Sequence, residues 1–298
     1  MFGSRPVDLF AALTPPLPLP AAIGEAGMLN LFESLVLDDA PKQEMTNYWR
    51  QDWKRFVHTL GLVADLSGHC LELGANPYFT TTLLRLFTSL KLTLANYFGP
   101  QFDQVASQML MVQHPLTGEW LKYQNEFHHF NIEDARFPFP AESFDVVLFC
   151  EVIEHLQSDP LKVLLEIKRV LKPDGKLVVT TPNVSRLENV CRMIAGANIY
   201  DPYSGYGPYG RHNREYNRHE LVQLLEFCGF AIETSFTADV HENRASAFAQ
   251  LKKIAPLVRF RSADLGQYLF SRSRNTVPAR QGRPAWLYRS YPADELQS

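Results

Sequence analysis

Cysteine is scarce in this chain, and nothing ties its few cysteines together. Cys70, Cys150, Cys191 and Cys228 are the four among 298 residues, far apart and without a CxxC spacing. That argues against a disulfide framework or a zinc knuckle and makes a reducing cytoplasm the default compartment. No apolar run reaches the ~18 residues of a membrane span. The opening stretch MFGSRPVDLFAALTPPLPLP has no long apolar core and is broken by prolines, so it does not read as a signal peptide. A basic excess is missing as well. The formal net charge of −3 disfavours a protein built mainly to hold nucleic acid.

What is present is 46% hydrophobic residues, enough for one large domain or two small ones. TPPLPLP (14–20) reads as an extended, solvated arm within 1–23. Residues 24–66 read as helical (MLNLFESLVL, TNYWRQDWKRFVHTLGLV), either a cap packed on the main domain or a lid over a pocket. From Cys70 the pattern alternates. Strands are expected at 69–73, 91–98, 127–132, 144–149 and 176–182. Helices are expected at 79–90, over FDQVASQML (102–110), and over DPLKVLLEIKRVL, where Asp159 caps and Pro160 takes the first helical position. Asn217 with Glu220 looks like a capping box, and Gly229 closes the helix it opens. AIETSFTADV and GQYLFSRS read as final strands. This order predicts an α/β fold with a doubly wound, mostly parallel sheet over 67–275, followed by a loosely held tail at 276–298.

CLELGANPYFT puts Glu72, Gly74, Ala75 and Asn76 in the first strand-to-helix turn, where ligands of such sheets bind. The stretch is not GxGxxG: Asn76 and Pro77 stand where further glycines would be, which weakens a pyrophosphate cradle. S-adenosylmethionine has no phosphates and needs none, and Glu72 can accept from its α-amino group. The series ELGANP, NYFG, NIEDARFPFPAESFDVVLFCEVIEHL and EIKRVLKPDGKLVVTTPN resembles the class I S-adenosylmethionine-dependent methyltransferases over about residues 71–236. That resemblance implies a seven-stranded sheet with the cofactor across its carboxyl ends. By position, Glu72, Gly74 and Asn76 line the methionine side. Asn96 stands where the family has an acid on the ribose, Phe98 covers the adenine, Ile132 and Glu133 meet the adenine edge, and Cys150 and Glu151 lie beside the sulfonium.

EVIEHL follows the apolar strand FDVVLF and places Glu151, Glu154 and His155 at i, i+3 and i+4, on one face if a helix starts there. Two carboxylates and an imidazole suit Mg²⁺ or Mn²⁺; otherwise they are a polar helix start. His212 follows in YGPYGRHNREYNRHEL. Glu-x-x-Glu-His with a later His resembles the metal site of small-RNA 2′-O-methyltransferases and the O-methyltransferases of ubiquinone biosynthesis. The resemblance makes Glu151, Glu154, His155 and His212 metal ligands facing an acceptor oxygen, with His155, Glu154 and His212 catalytic.

The layout around YGRHNREYN resembles methyltransferases of glycans and lipopolysaccharide-type saccharides. The expected acceptor is a saccharide hydroxyl, with Tyr200, Tyr203, Tyr206, Tyr209 and Tyr216 available to stack on sugars or on one another. A phenol or quinone precursor and RNA are the alternatives, and the acidic balance disfavours RNA. A non-catalytic S-adenosylmethionine-binding protein and a nucleotide-cofactor oxidoreductase are further classes. The intact EVIEH argues against the first, and the absent phosphate glycines against the second. Residues 252–289 carry nine basic side chains against Asp264 alone, a solvated face or a contact for phosphate, a membrane or a lipid-linked glycan.

Overall fold

The computed structural model describes residues 15–102, 106–134, 136–205 and 207–297. Two helices come first, α1 (Gly24–Ser34) and α2 (Lys42–Gly61), with the short strand β1 (Val36–Leu37) between them. In α2, Met45, Trp49, Trp53, Phe56 and Leu60 recur every three or four residues and are buried, which is the stripe a surface helix needs. Phe56 stacks on Phe79 at 5.1 Å, and Phe32 of α1 meets both rings edge-on. One apolar cluster therefore runs from these helices into the sheet.

The sheet holds β2 (Ser67–Leu73), β3 (Ser89–Asn96), β6 (His128–His129), β7 (Phe144–Cys150), β8 (Leu171–Pro182), β9 (Phe230–Ala238) and β10 (Tyr268–Asn275). Its order is β6-β3-β2-β7-β8-β10-β9, and β10 is antiparallel to both neighbours. The chain winds outward from β2 in one direction and from β7 in the other. The switch point lies between those two strands, and their carboxyl ends face the crevice where ligands of such sheets bind. β7 reads FDVVLFC because both its faces are covered. The helices α3 (Phe79–Phe87), α4 (Pro160–Val170), α5 (Leu187–Ile194), α6 (Arg218–Phe227) and α7 (Leu251–Val258) complete the fold. Asp159 caps α4 through Leu161 N and Lys162 N, and the Asn217 side chain caps α6 at Glu220 N. Among the described residues no helix is long and apolar enough to cross a membrane.

Four expectations change. The segment read as a helix from 102 to 110 becomes, beyond residues 103–105, strand β4 (Ser107–Gln113), hairpinned to β5 (Trp120–Glu126). Met109, Leu110, Met111 and Val112 form a short apolar run with no resolved period, and pairing with β1 decides it as strand. The expected strand 127–132 shrinks to two residues. Residues 15–20 of the arm are not solvated throughout: Leu17 and Leu19 pack on the core, and Pro18 lies against Gly61. Residues 1–14 lie outside the described ones. The tail is held rather than loose. Arg283 and Tyr288 both bond the Asp159 carboxylate at 2.6 Å, and β11 (Arg283–Pro284) pairs with β12 (Leu296–Gln297).

Candidate active site

A cleft of ≈910 Å³ opens over the ends of β2, β3 and β7, lined by Gly74, Asn76, Asn96, Tyr97, Ile132, Glu133, Glu151, His155 and Tyr209 among others. The first turn forms its floor. Gly74 N and Ala75 N donate to Ala95 O at 2.9 and 3.3 Å, folding the turn back onto β3. Gly74 has φ 71°, and a Cβ there would stand 2.8 Å from Val152 Cγ2. Only glycine fits this backbone without strain. Asn96 is buried and lines the cleft, but its amide serves the turn. Oδ1 accepts from Asn76 N at 2.9 Å, and Nδ2 donates to Tyr78 OH at 3.0 Å. Glu133 lines the cleft too, with its carboxylate holding Gln157 N, Ser158 N and Ser158 Oγ. Phe98 does not line it. Its ring packs on Phe127 and His129, and the preceding residue, Tyr97, lines the cleft instead.

The cleft continues into a second lobe around Glu72, Gly74, Cys150 and Glu151, roofed from α2 by Tyr48, Arg55 and Phe56. Glu72 accepts from Thr81 Oγ1 at 2.7 Å, and burial pushes its carboxyl up to about 7. Burial likewise raises the Cys150 thiol to about 12, so it stays neutral. Glu151 is raised by burial to about 8 against the pull of Arg55, whose guanidinium lies 3.9 Å away. The sequence reading missed Arg55. It is buried, bonded to Tyr48 OH at 2.6 Å and Asp52 at 3.2 Å, and lies over the Phe56 ring at 4.8 Å. Its Nε has no partner, nor has Asp52 Oδ1. Two charges, Asp52 and Arg55, beside the apolar stripe of one helix were the available signal.

Glu151 does not start a helix. It sits at φ 56° with its carboxylate on Thr180 Oγ1 at 2.7 Å, and the chain then forms a single 3-10 turn, Ile153–His155. The expected i, i+3, i+4 face is therefore broken at Glu151. Glu154, His155 and His212 do converge: each offers one ligand atom, and these atoms lie within 4.8 Å of one another, a group that omits Glu151. Glu154 is fully buried. Oε2 accepts from Thr181 Oγ1 at 2.8 Å, while Oε1 has no partner and lies 4.0 Å from His155 Nε2. His155 Nδ1 meets Arg211 O at 2.9 Å. A carbonyl only accepts, so Nδ1 carries the proton and Nε2 the lone pair. His212 Nδ1 faces Glu215 at 2.9 Å, so in the neutral ring the proton sits on Nδ1 and Nε2 has the lone pair. Burial and the nearby His212 hold His155 below its usual value. Burial also pulls His212 down, but the Glu215 hydrogen bond and the charges of Glu154 and Glu215 outweigh it and set His212 above its usual value.

Beyond His212 lies another cavity, ≈760 Å³, lined by Tyr200, Asp201, Asn213, Arg214, Glu215 and Glu220 with Val184 and Ile199. The two spaces meet at the histidine pair, whose rings are 5.1 Å apart. The tyrosines expected to act together divide. Tyr216 is core, Tyr209 faces the first cleft, Tyr200 lines the second cavity, and Tyr203 lies under the Arg211 guanidinium. Tyr206 lies outside the described residues. Of the basic C-terminal residues, Arg261, Arg272, Arg274 and Arg283 are spent on ion pairs with acids of the same chain.

Residues 45–235 match a family described as a methyltransferase domain. Over 108 residues the chain is 36% identical to a probable S-adenosylmethionine-dependent methyltransferase of Mycolicibacterium smegmatis, covering 36% of each chain. Over 97 residues it is 34% identical to the mitochondrial ubiquinone biosynthesis O-methyltransferase of Rattus norvegicus, covering 32% of this chain and 26% of the relative. The matched stretches thus span about a third of these curated relatives' length. Among solved structures, a putative methyltransferase of Haloferax volcanii in complex with the Trm112 activator superposes with TM-score 0.50 at 16% identity. That superposition covers 78% of this chain and 93% of that one, and the likeness is one of fold.

Proposed function

The chain belongs to the methyltransferase-domain family, and from that premise we propose that it methylates an oxygen of a saccharide acceptor with S-adenosylmethionine as donor. The observation that carries this reading is the placement of Glu154, His155 and His212 where the cofactor cleft meets the second cavity. S-adenosylmethionine supplies an electrophilic methyl group on a sulfonium. Tyr97, Ile132 and the Asn96 turn take the adenosyl half. Glu72 accepts from the α-ammonium, and Arg55 faces the α-carboxylate as the buried cation of the other lobe.

The acceptor side must align a hydroxyl and take its proton. His155 Nε2 carries a lone pair, as does His212 Nε2 when that ring is neutral, and Glu154 Oε1 is a buried oxygen without a partner. One carboxylate and two imidazoles with held Nδ1 protons fit a divalent cation, with Mn²⁺ favoured over Mg²⁺ now that Glu151 stands apart. Such an ion lowers the pKa of a bound hydroxyl. Without it, His155 is the general base within reach. The second cavity supports a polyhydroxylated acceptor, since Asp201, Glu215, Glu220, Arg214 and Asn213 offer donors and acceptors around its wall.

The runner-up is a phenolic quinone precursor, favoured by the likeness to ubiquinone-biosynthesis O-methyltransferases. Incubation with methyl-labelled S-adenosylmethionine and saccharide or phenol fractions, with and without a chelator, separates the two. Label on a sugar oxygen is the expected product. Label on a phenol, nitrogen or carbon rejects the saccharide reading.

A further inference from the structure

The segment from Pro208 to Arg214 is fastened to the 153–155 turn at four points. Asn213 N and Arg214 N donate to Glu154 O at 2.7 and 3.1 Å, Asn213 Nδ2 donates to His155 O at 2.9 Å, and His155 Nδ1 donates to Arg211 O. Asn213 Nδ2 also bonds Pro208 O at 2.9 Å, closing the segment on itself. At one end stands Tyr209, perpendicular to Tyr97 at 5.6 Å and accepting from Asn131 Nδ2 at 3.1 Å, on the wall of the adenosyl cleft. Three residues on, His212 belongs to the acceptor-side cluster. Tyr209 is 43% exposed and lines the cleft, so core packing does not account for its ring, which an adenosyl group could cover.

We propose that Tyr209 contacts the adenosyl group and that its segment transmits cofactor occupancy to His212, so that cofactor binding steadies His212 in the acceptor cluster. This rests on the cofactor placement given above. Coupling between two sites is reciprocal, so occupancy around His212 strengthens cofactor binding by the same factor.

The test uses S-adenosylhomocysteine on the full chain, with calorimetry for affinity and hydrogen exchange for the segment. Tyr209→Ala should weaken binding about tenfold, and Tyr209→Phe, which keeps the ring, should stay within about threefold of the original. In the original protein the ligand should slow exchange at the Asn213 and Arg214 amides, which bond Glu154 O. In ligand-saturated Tyr209→Ala that slowing should vanish. Equal affinity in Tyr209→Ala, or equal slowing, overturns the proposal. Absence of ligand binding by the original protein overturns the cofactor placement itself, a separate failure visible at the first titration.

Discussion

The two halves of the proposed site are built by different means. The cofactor half is local: Glu72 stands near the end of β2, Gly74 and Asn76 lie in the turn that follows, and Asn96 ends the neighbouring strand. The acceptor half is assembled across the chain. Glu154 and His155 come from one turn, His212 from a loop some sixty residues on, and Glu215, which orients His212, is itself held by Arg186. A local turn makes a ligand pocket from backbone geometry. A dispersed cluster makes reactivity from side chains that each need a second residue to hold them. Apart from the 208–214 segment that links them, losing a side chain of one half should leave the other half working.

The largest effect is expected at Glu154. Glu154→Gln keeps shape and the Thr181 contact but removes the charge, so turnover should fall about 1,000-fold. S-adenosylhomocysteine affinity should change by less than about threefold, a negligible energy on the scale of one tenfold step. A comparable loss of ligand affinity would show that the halves are not separate. The mirror experiment is Gly74→Val. A side chain at φ 71°, 2.8 Å from Val152, should weaken the same ligand by about 100-fold or more. Circular dichroism should report an unchanged fold. Unchanged affinity removes the first turn from the cofactor site.

Arg55 sharpens the comparison because it reaches the cofactor half from α2. Arg55→Lys keeps a charge but loses the fork that meets a carboxylate at two points. Affinity for S-adenosylhomocysteine should drop about tenfold, while methylthioadenosine, which has neither carboxylate nor ammonium, should bind as before. An equal loss for both ligands would assign Arg55 to packing against Phe56 and Tyr48 instead.

The same contrast governs what could be read without coordinates. The central sheet was legible because β2, β7 and β8 are apolar runs bounded by turn residues, and the Asp159 and Asn217 caps are local chemistry. Glu72 and Gly74 were legible for the same reason. The β4–β5 hairpin was not, because four consecutive apolar residues carry no period and their partner, β1, lies some seventy residues upstream. The sequence points to Phe98 for the adenine whereas Tyr97 lines the cleft, because ring chemistry does not say which way a side chain beyond a strand end faces. Glu151 was grouped with Glu154 and His155 on the assumption of helical spacing. The left-handed backbone at Glu151 turns its carboxylate to Thr180 and Arg55 instead. His212 was found by resemblance, but Glu215 and Arg211 O, which fix the protons of the two histidines, leave no trace in spacing.

The smallest effect is the most specific to the cofactor half. Burial raises Glu72 to about 7, well above the ~4.3 of a free glutamate. The neutral form is therefore favoured on folding. The stability this gives is fully present below the unfolded value and is lost as pH rises through about 7. A ligand ammonium reverses the preference, because it pairs only with the ionised carboxylate. Binding of S-adenosylhomocysteine should then release a proton, and affinity should climb between pH 6 and 8 by up to about tenfold for this one group. Glu151, raised to about 8 beside Arg55, extends the rise slightly above that window. Calorimetry in two buffers of different ionisation enthalpy measures the proton directly. Glu72→Gln should bind more weakly at pH 8, close to the original at pH 6, and with a flatter profile. A profile in the original protein that does not change with pH would mean that the ammonium meets some other group. Glu72 would then be a buried partner of Thr81 and nothing more.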